Sequence, residues 1–172
     1  MLQDLKSKVR AIPNWPKKGI IFRDITPVIE DRKLFRCLID QLAKPYLKKK
    51  IDMIVGIDAR GFILAAALAY KLKTGLGIVR KIGKLPYKTI RKKYSLEYAS
   101  NTLEMHQDTI KPGQKVLLVD DLLATGGTMK AAVDLVEELG GKVIGIEFFI
   151  DLKDLGGIKK LKGYPVKSLI KF

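Results

Sequence analysis

The sequence is poor in the residue types that carry redox and metal chemistry. It has one cysteine and one histidine in 172 residues. A lone cysteine, Cys37, excludes a disulfide within the chain and fits a reducing cytoplasm. It falls in a helical-looking segment, where an inert buried thiol is the expected role. His106 has no cysteine or acidic cluster of metal spacing beside it, so it reads as a surface residue rather than a ligand or a base. No apolar run approaches the roughly 20 residues that cross a bilayer. The start, M-L-Q-D-L-K-S-K-V-R, contains no signal-peptide core. No G-K-[ST] closes a Walker A loop, and G-x-G-x-x-G is missing as well. Repeats, low-complexity tracts and linkers are also lacking. Acidic residues are scarce: 18 Asp and Glu stand against 33 Lys and Arg, a net charge of +15.

What is present describes a soluble globular chain. Hydrophobic residues make up 47% and charged residues 30%, and the length suits one domain with a real core. The positive excess has two readings. One is weak, non-specific affinity for nucleic acid. The other is a Lys-rich solvated surface together with a site for a highly phosphorylated substrate. The lysines are spread along the whole chain rather than gathered in a tail, which favours the second.

One stretch organises the rest: K-V-L-L-V-D-D-L-L-A-T-G-G-T-M-K-A-A, from Lys115 to Ala132. Val116 to Val119 read as a strand buried on both faces. Asp120 and Asp121 follow at its end, where the chain turns and both carboxylates can face one ligand. Ala124-Thr125-Gly126-Gly127-Thr128 is a short loop. A helical pattern then begins, with Ala131, Ala132, Leu135, Val136 and Leu139 at spacings of three and four. Paired glycines let backbone N–H groups converge without a Cβ in the way. The helix behind them turns its unpaired N–H groups and positive pole toward the loop, a site for a phosphate monoester. Thr125 and Thr128 add hydroxyls, and Thr128 is positioned to cap the helix. The carboxylates suit sugar hydroxyls or Mg²⁺, directly or through water. Two glycines alone would fit an ordinary strand-to-helix turn with a solvated acidic pair; the whole string is more specific.

V-L-L-V-D-D-L-L-A-T-G-G-T resembles the phosphoribosyl pyrophosphate (PRPP) motif of type I phosphoribosyltransferases. Its L-L-A-T-G-G-T form is most similar to that of members acting on adenine. The rest of the chain extends the likeness. Residues 2 to 11 read as an amphipathic helix, stopped by Pro13 and Pro16 around Trp15. In G-I-I-F-R-D-I-T-P, Gly19 marks a turn and Ile20 to Phe22 an extended segment. Taken alone, Arg23 and Asp24 are a local ion pair in a surface loop. The segment resembles the family's hood, which implies that Phe22 stacks on adenine, Ile21 reads its edge through backbone groups and Arg23 lies beside the base. Residues 31 to 49 read as a helix broken near Pro45.

Ile54 to Ile57 read as a buried strand, and Gly61 opens an alanine-rich helix. Asp58-Ala59-Arg60 between them lies on the edge where parallel sheets gather ligands. A guanidinium there matches two phosphate oxygens; a salt bridge to Asp58 is the alternative. D-A-R-G-F resembles the family's pyrophosphate loop, with Ala59 where many members have Ser. Gly77 to Val79 form a strand ending at Arg80 and Lys81. Lys81 matches a pyrophosphate-binding lysine of the family, and Lys84 is a further candidate. Leu85 to Met105 reads as a two-stranded flap. Within it, Y-S-L-E-Y is similar to the family's catalytic loop, which implies proton transfer by Glu97 and closure by Tyr98. Ala99 replaces the usual glycine, so closure is altered if that position needs positive φ. Val143 to Ile150 read as another buried strand, and residues 164 to 172 as a last edge strand.

Strands alternating with helices predict an α/β fold, a parallel sheet of about five strands with helices on both faces. The hood, about residues 1 to 30, and the flap, about 85 to 105, cover its C-terminal edge. The resemblance runs from about residue 2 to 172 as a single domain. It implies transfer of the 5-phosphoribosyl group from PRPP to adenine with Mg²⁺, giving AMP and pyrophosphate in purine salvage. It also implies a homodimer in the cytoplasm, with no membrane and no specific nucleic acid as partner. Two alternatives stand beside it: another purine base, or a PRPP-sensing regulator that binds nucleic acid. The hood and flap motifs argue against the first. The flap glutamate, and a chain too short for an appended DNA-binding domain, argue against the second.

Overall fold

The computed structural model of the chain describes residues 2–96 and 99–172. Its centre is a seven-stranded sheet in the order β5-β6-β4-β3-β7-β8-β9. Strands β3 (Met53–Ile57), β4 (Gly75–Lys81), β7 (Lys115–Leu123), β8 (Lys142–Asp151) and β9 (Val166–Lys171) run parallel. These are the five strands the sequence predicts. The flap strands β5 (Thr89–Leu96) and β6 (Ala99–His106) form an antiparallel hairpin at one edge, joined to β4 through Arg80↔Glu104.

The parallel strands carry continuous apolar runs because both of their faces are covered. Ile54, Leu117, Val119 and Phe149 face helices α1 (Leu2–Lys8), α3 (Arg32–Ala43) and α4 (Arg60–Leu72), meeting Leu5, Leu38, Leu42, Leu64 and Leu68. Val55, Val116, Leu118 and Phe148 face the other way, toward Ala132, Val133, Leu135 and Val136 of α5 (Gly127–Glu138). Neighbours along each strand thus feed opposite layers. The short helix α2 (Thr26–Glu30) adds Val28 to the first layer. Helix α3 begins where the Asp31 side chain accepts from the N–H groups of Lys33 and Leu34, at 2.8 and 3.1 Å. It ends at Ala43, and Pro45 sits in a following 3₁₀ turn.

Three expectations need correction. The first helix stops at Lys8 rather than Ala11, and Arg10–Pro13 is instead strand β1, paired antiparallel with β2 (Ile21–Asp24). Asn14 makes this possible: it adopts φ 60° at the turn, and its side chain accepts from the N–H of Gly19 at 2.9 Å. Strand β7 does not end before the aspartates. Its pairing with β8 continues to Leu123↔Asp151, so Asp120 and Asp121 lie within the strand. Helix α5 is capped by Gly126, with no side-chain cap bond, so Thr128 is not its cap.

Candidate functional site

The C-terminal ends of β3, β4 and β7 meet in a cavity of about 400 Å³. Asp58, Ala59 and Arg60 line it from the loop after β3, Lys81 from the end of β4, and Asp120, Asp121 and Thr128 from β7 and α5. Tyr94 and Asn101 of the flap add a further wall. Sheet topology therefore brings together the residues that the sequence marks for ribose and pyrophosphate.

Arg60 opens α4 and points at β7. Its Nε lies 2.7 Å from Asp121 Oδ2, and its guanidinium stands 4.7 Å from the centre of the Phe22 ring. Asp58 is paired elsewhere, with Arg80 Nε 3.3 Å from Asp58 Oδ2. A local Asp58–Arg60 bridge is therefore not what forms. The Asp58–Ala59 peptide is cis. Asp120 Oδ1 accepts from the N–H of Asp121 at 2.8 Å and lies where a Cβ on Gly61 would come within 2.7 Å. Burial pushes the Asp120 carboxyl well above its usual range, and the neighbouring Asp121 charge adds to this. Burial raises Asp121 too, and outweighs the opposing pull of Arg60. Two close carboxylates thus share the cavity with one arginine.

A smaller cavity of about 130 Å³ adjoins this one, lined by Asp120, Ala124, Thr125, Gly126, Thr128 and Met129, among others. It sits at the N-terminus of α5. Gly126 has φ +77°, and a Cβ there would collide with the carbonyl of Gly157. A Cβ on Gly157 would collide in turn with the carbonyl of Ala124. The loop and the 3₁₀ turn Gly157–Leu161 thus approach backbone to backbone. Gly127 lies within the first turn of α5. Thr128 Oγ1 donates to the Tyr94 hydroxyl at 3.3 Å, joining this loop to the flap.

The hood encloses a third cavity, of about 530 Å³, lined by Ile20, Ile21, Arg23, Thr125, Leu152, Leu155 and others. Strand alternation puts Ile21 and Arg23 on it and turns Phe22 away, to an edge contact with Trp15 at 4.4 Å and to Arg60. Arg23 is held by the Phe172 ring, 4.0 Å from its guanidinium. Leu152, Asp154, Leu155 and Phe172 also line this cavity and carry no signal in the sequence. Only the register of β8 against β7 delivers the first of them, with Leu152 N–H on the Leu123 carbonyl at 2.9 Å.

Glu97 and Tyr98 lie outside the described residues. Ala99 falls within β6, paired with Leu96, and strand backbone accepts any side-chain-bearing residue. Among the described residues no group of three or more His, Cys, Asp or Glu could hold a metal ion. No helix among them is long and apolar enough to cross a membrane.

This arrangement is that of a phosphoribosyltransferase, and the chain belongs to that family: its phosphoribosyl transferase domain matches residues 28–169. More narrowly, the chain sits among the adenine phosphoribosyltransferases. That of Syntrophotalea carbinolica is 53% identical over 171 residues, covering 99% of this chain and 100% of its own. The crystal structure of the Thermoanaerobacter pseudethanolicus enzyme superposes with a TM-score of 0.98 at 51% identity, each chain covered completely. The Saccharomyces cerevisiae enzyme, solved with an imino-altritol bisphosphate and adenine, gives 0.93 at 39% identity over 98% of each chain.

Proposed function

We propose that the cleft transfers the 5-phosphoribosyl group of PRPP to adenine, giving AMP and pyrophosphate. The observation that carries this is the meeting of Arg60, Lys81, Asp120 and Asp121 in one cavity that adjoins the glycine loop of α5. PRPP places a phosphate, a ribose and a pyrophosphate along one molecule, and the cleft offers complementary groups in the same sequence.

In this reading the backbone of Ala124, Thr125, Gly126, Gly127 and Thr128 holds the 5′-phosphate at the positive pole of α5. Asp120 and Asp121 accept from the ribose hydroxyls. Arg60 and Lys81 hold the pyrophosphate and stabilise the charge it gains as the anomeric bond breaks. A purine nitrogen forms the new bond to the anomeric carbon, so no nucleophilic side chain is required. Ile21 reads the base edge through its backbone and Arg23 flanks it; Phe22 stacks on the base once its ring swings in from its contacts with Trp15 and Arg60. Leu152 and Leu155 supply apolar walls to the hood cavity. Glu97 transfers the proton at the base, and closure over Tyr98 keeps water from the activated sugar.

Mg²⁺ belongs to the substrate in this scheme. Asp58, Asp120 and Asp121 line the cleft without forming a metal-holding cluster among the described residues, and an ion carried in on phosphate oxygens keeps most of its water. It supplies charge neutralisation for the leaving group. The whole chain is read as one such domain. A homodimer is supported by Ile63 and Tyr70, which lie seven residues apart on one face of α4 and are 41% and 89% exposed. The free thiol of Cys37 is consistent with a cytoplasmic setting.

The test is pyrophosphate release from PRPP and Mg²⁺ with adenine, hypoxanthine, guanine and xanthine supplied separately. Release with adenine alone is expected. Preference for another base overturns the hood assignment and leaves the transfer chemistry in place.

A further inference from the structure

The loop that follows β4 is held by a carboxylate that the transfer reaction itself does not use. Glu104 lies in β6, opposite Arg80 of β4, and is only 1% exposed. Its Oε1 accepts from two successive N–H groups, those of Lys84 and Leu85, each at 2.9 Å. Its Oε2 faces the root of the flap, where Thr89 Oγ1 donates at 3.4 Å and Arg91 Nε lies 3.4 Å away. The same loop is gripped from its other side. Arg80 Nη1 donates to the Lys84 carbonyl at 3.2 Å, while its Nε reaches Asp58 in the loop that also carries Arg60. Lys84 is thus fixed at both its amide and its carbonyl, three residues beyond Lys81.

A buried carboxylate is costly unless its oxygens are satisfied. Here burial is the largest influence and pushes the Glu104 carboxyl upward. The amides of Leu85 and Lys84, with Arg91 and Thr89, nevertheless bring it below its ordinary value. It stays ionised and keeps accepting from the loop.

We infer that Glu104 is a positioning residue for pyrophosphate: by fixing residues 82–85 it sets Lys81 in the cleft on the same ligand as Arg60. The inference rests on Lys81 binding pyrophosphate, so the experiment measures that separately.

Pyrophosphate binding in magnesium buffer is titrated calorimetrically for the wild type, Glu104→Gln and Lys81→Ala, with KM for adenine measured alongside. Glutamine matches glutamate in shape but turns one oxygen into an NH₂ group. Facing the loop, that group meets two N–H donors; facing the flap, it meets the Arg91 donor beside the Thr89 hydroxyl, so neither orientation is satisfied as the carboxylate is. Glu104→Gln should weaken pyrophosphate binding about tenfold, the cost of misplacing one ligand side chain. KM for adenine should stay within about twofold, since the hood is untouched. A folded Glu104→Gln protein with normal pyrophosphate affinity overturns the proposal. So does one that loses pyrophosphate and adenine equally, because that marks a general structural role. Weak binding by Lys81→Ala with normal binding by Glu104→Gln leaves Lys81 in its role and removes Glu104 alone. Normal binding by Lys81→Ala removes the ligand from this loop and the proposal with it. Should Glu104→Gln not fold, Arg80→Lys carries the test. It keeps the charge but cannot hold both Asp58 and the Lys84 carbonyl. Weakened pyrophosphate binding is expected there too, and normal binding overturns the proposal.

Discussion

Arg60 ties helix α4 to the sheet: from the start of the helix it brings its Nε to 2.7 Å from Oδ2 of Asp121 in β7. The contact lies between a proposed pyrophosphate ligand and a proposed ribose ligand, so it organises the cleft before any substrate arrives. Arg60→Ala should therefore act twice. Pyrophosphate and PRPP affinity should fall by about 10- to 100-fold, as a bidentate phosphate contact is lost. Asp121 would be left buried without its cation, and urea unfolding should show a loss of about 1–3 kcal/mol, reduced by the partial exposure of Arg60. Unchanged affinity for both ligands would return Arg60 to a purely structural role.

Gly126 should tolerate no side chain. It combines φ +77° with the Gly157 carbonyl pressed against the position a Cβ would take. Gly126→Ala must shift the loop, the 3₁₀ turn at Gly157, or both. The left-handed conformation alone costs about 1–2 kcal/mol. The larger effect should be on AMP, whose Kd should rise at least about tenfold because the amides proposed to hold its phosphate would no longer converge. Calorimetric titration with AMP measures this. An alanine variant that binds AMP normally would place the phosphate elsewhere.

The parts of the fold visible in sequence are those set by local pattern. Val116 to Val119 announce a doubly buried strand because they are apolar without alternation, and Gly126 marks the turn after β7 because few other residues fit there. What could not be read depends on chain segments meeting. The spacing of Leu2, Leu5 and Val9 carries a helical rhythm up to Arg10, yet pairing with Ile21–Asp24 pulls the next residues into a strand. Nothing beside Asp58 shows that Arg80 will take it, or that Arg60 will reach Asp121 instead. The walls of the hood at Leu152, Leu155 and Phe172 have no motif, since a base pocket needs apolar surface rather than a particular residue.

Tyr94 joins the flap to the phosphate loop, with the Thr128 hydroxyl donating to its own at 3.3 Å. Tyr94→Phe should cost little stability, within about 1 kcal/mol, because a neutral, partly exposed hydrogen bond is worth no more. It should instead loosen the flap. Hydrogen exchange across residues 89–96 is expected to quicken in the ligand-free protein, while exchange in β7 stays as it was. Equal exchange in both proteins would show that the bond does not tether the flap.

The role proposed for Glu97 is proton transfer at the base, a task confined to the chemical step. Glu97→Gln keeps the size of the side chain and removes its basicity. Its kcat should fall by about 10²- to 10⁴-fold, the usual contribution of a positioned acid or base. The Kd for PRPP should move by less than about threefold, since the phosphate and ribose contacts lie elsewhere. Pre-steady-state measurement of AMP formation separates this from slow product release. A near-normal rate constant for the chemical step would take the proton transfer away from Glu97.

Glu147 provides a test of pH dependence away from the cleft. Its carboxylate is fully buried in β8, and Oε1 accepts from the Tyr46 hydroxyl at 2.7 Å, across 101 residues of sequence. Oε2 has no hydrogen-bond partner. Burial raises this carboxyl above its ordinary value of 4.5, and the lowering influence of Tyr46 does not cancel it. A raised carboxyl binds its proton more tightly when folded than when unfolded. Its favourable contribution is therefore complete below about 4.5 and is lost as pH rises through the folded-state value. Glu147→Gln still accepts from Tyr46 but cannot ionise, so the pH-linked loss should vanish. In urea titrations the stability of the wild type relative to the variant should decline as pH rises above 4.5. A flat difference across that range would mean that Glu147 titrates alike in both states. A difference that grows in favour of the wild type would mean that the lysines opposite, Lys49 and Lys167, hold the folded carboxylate ionised more firmly than burial opposes it.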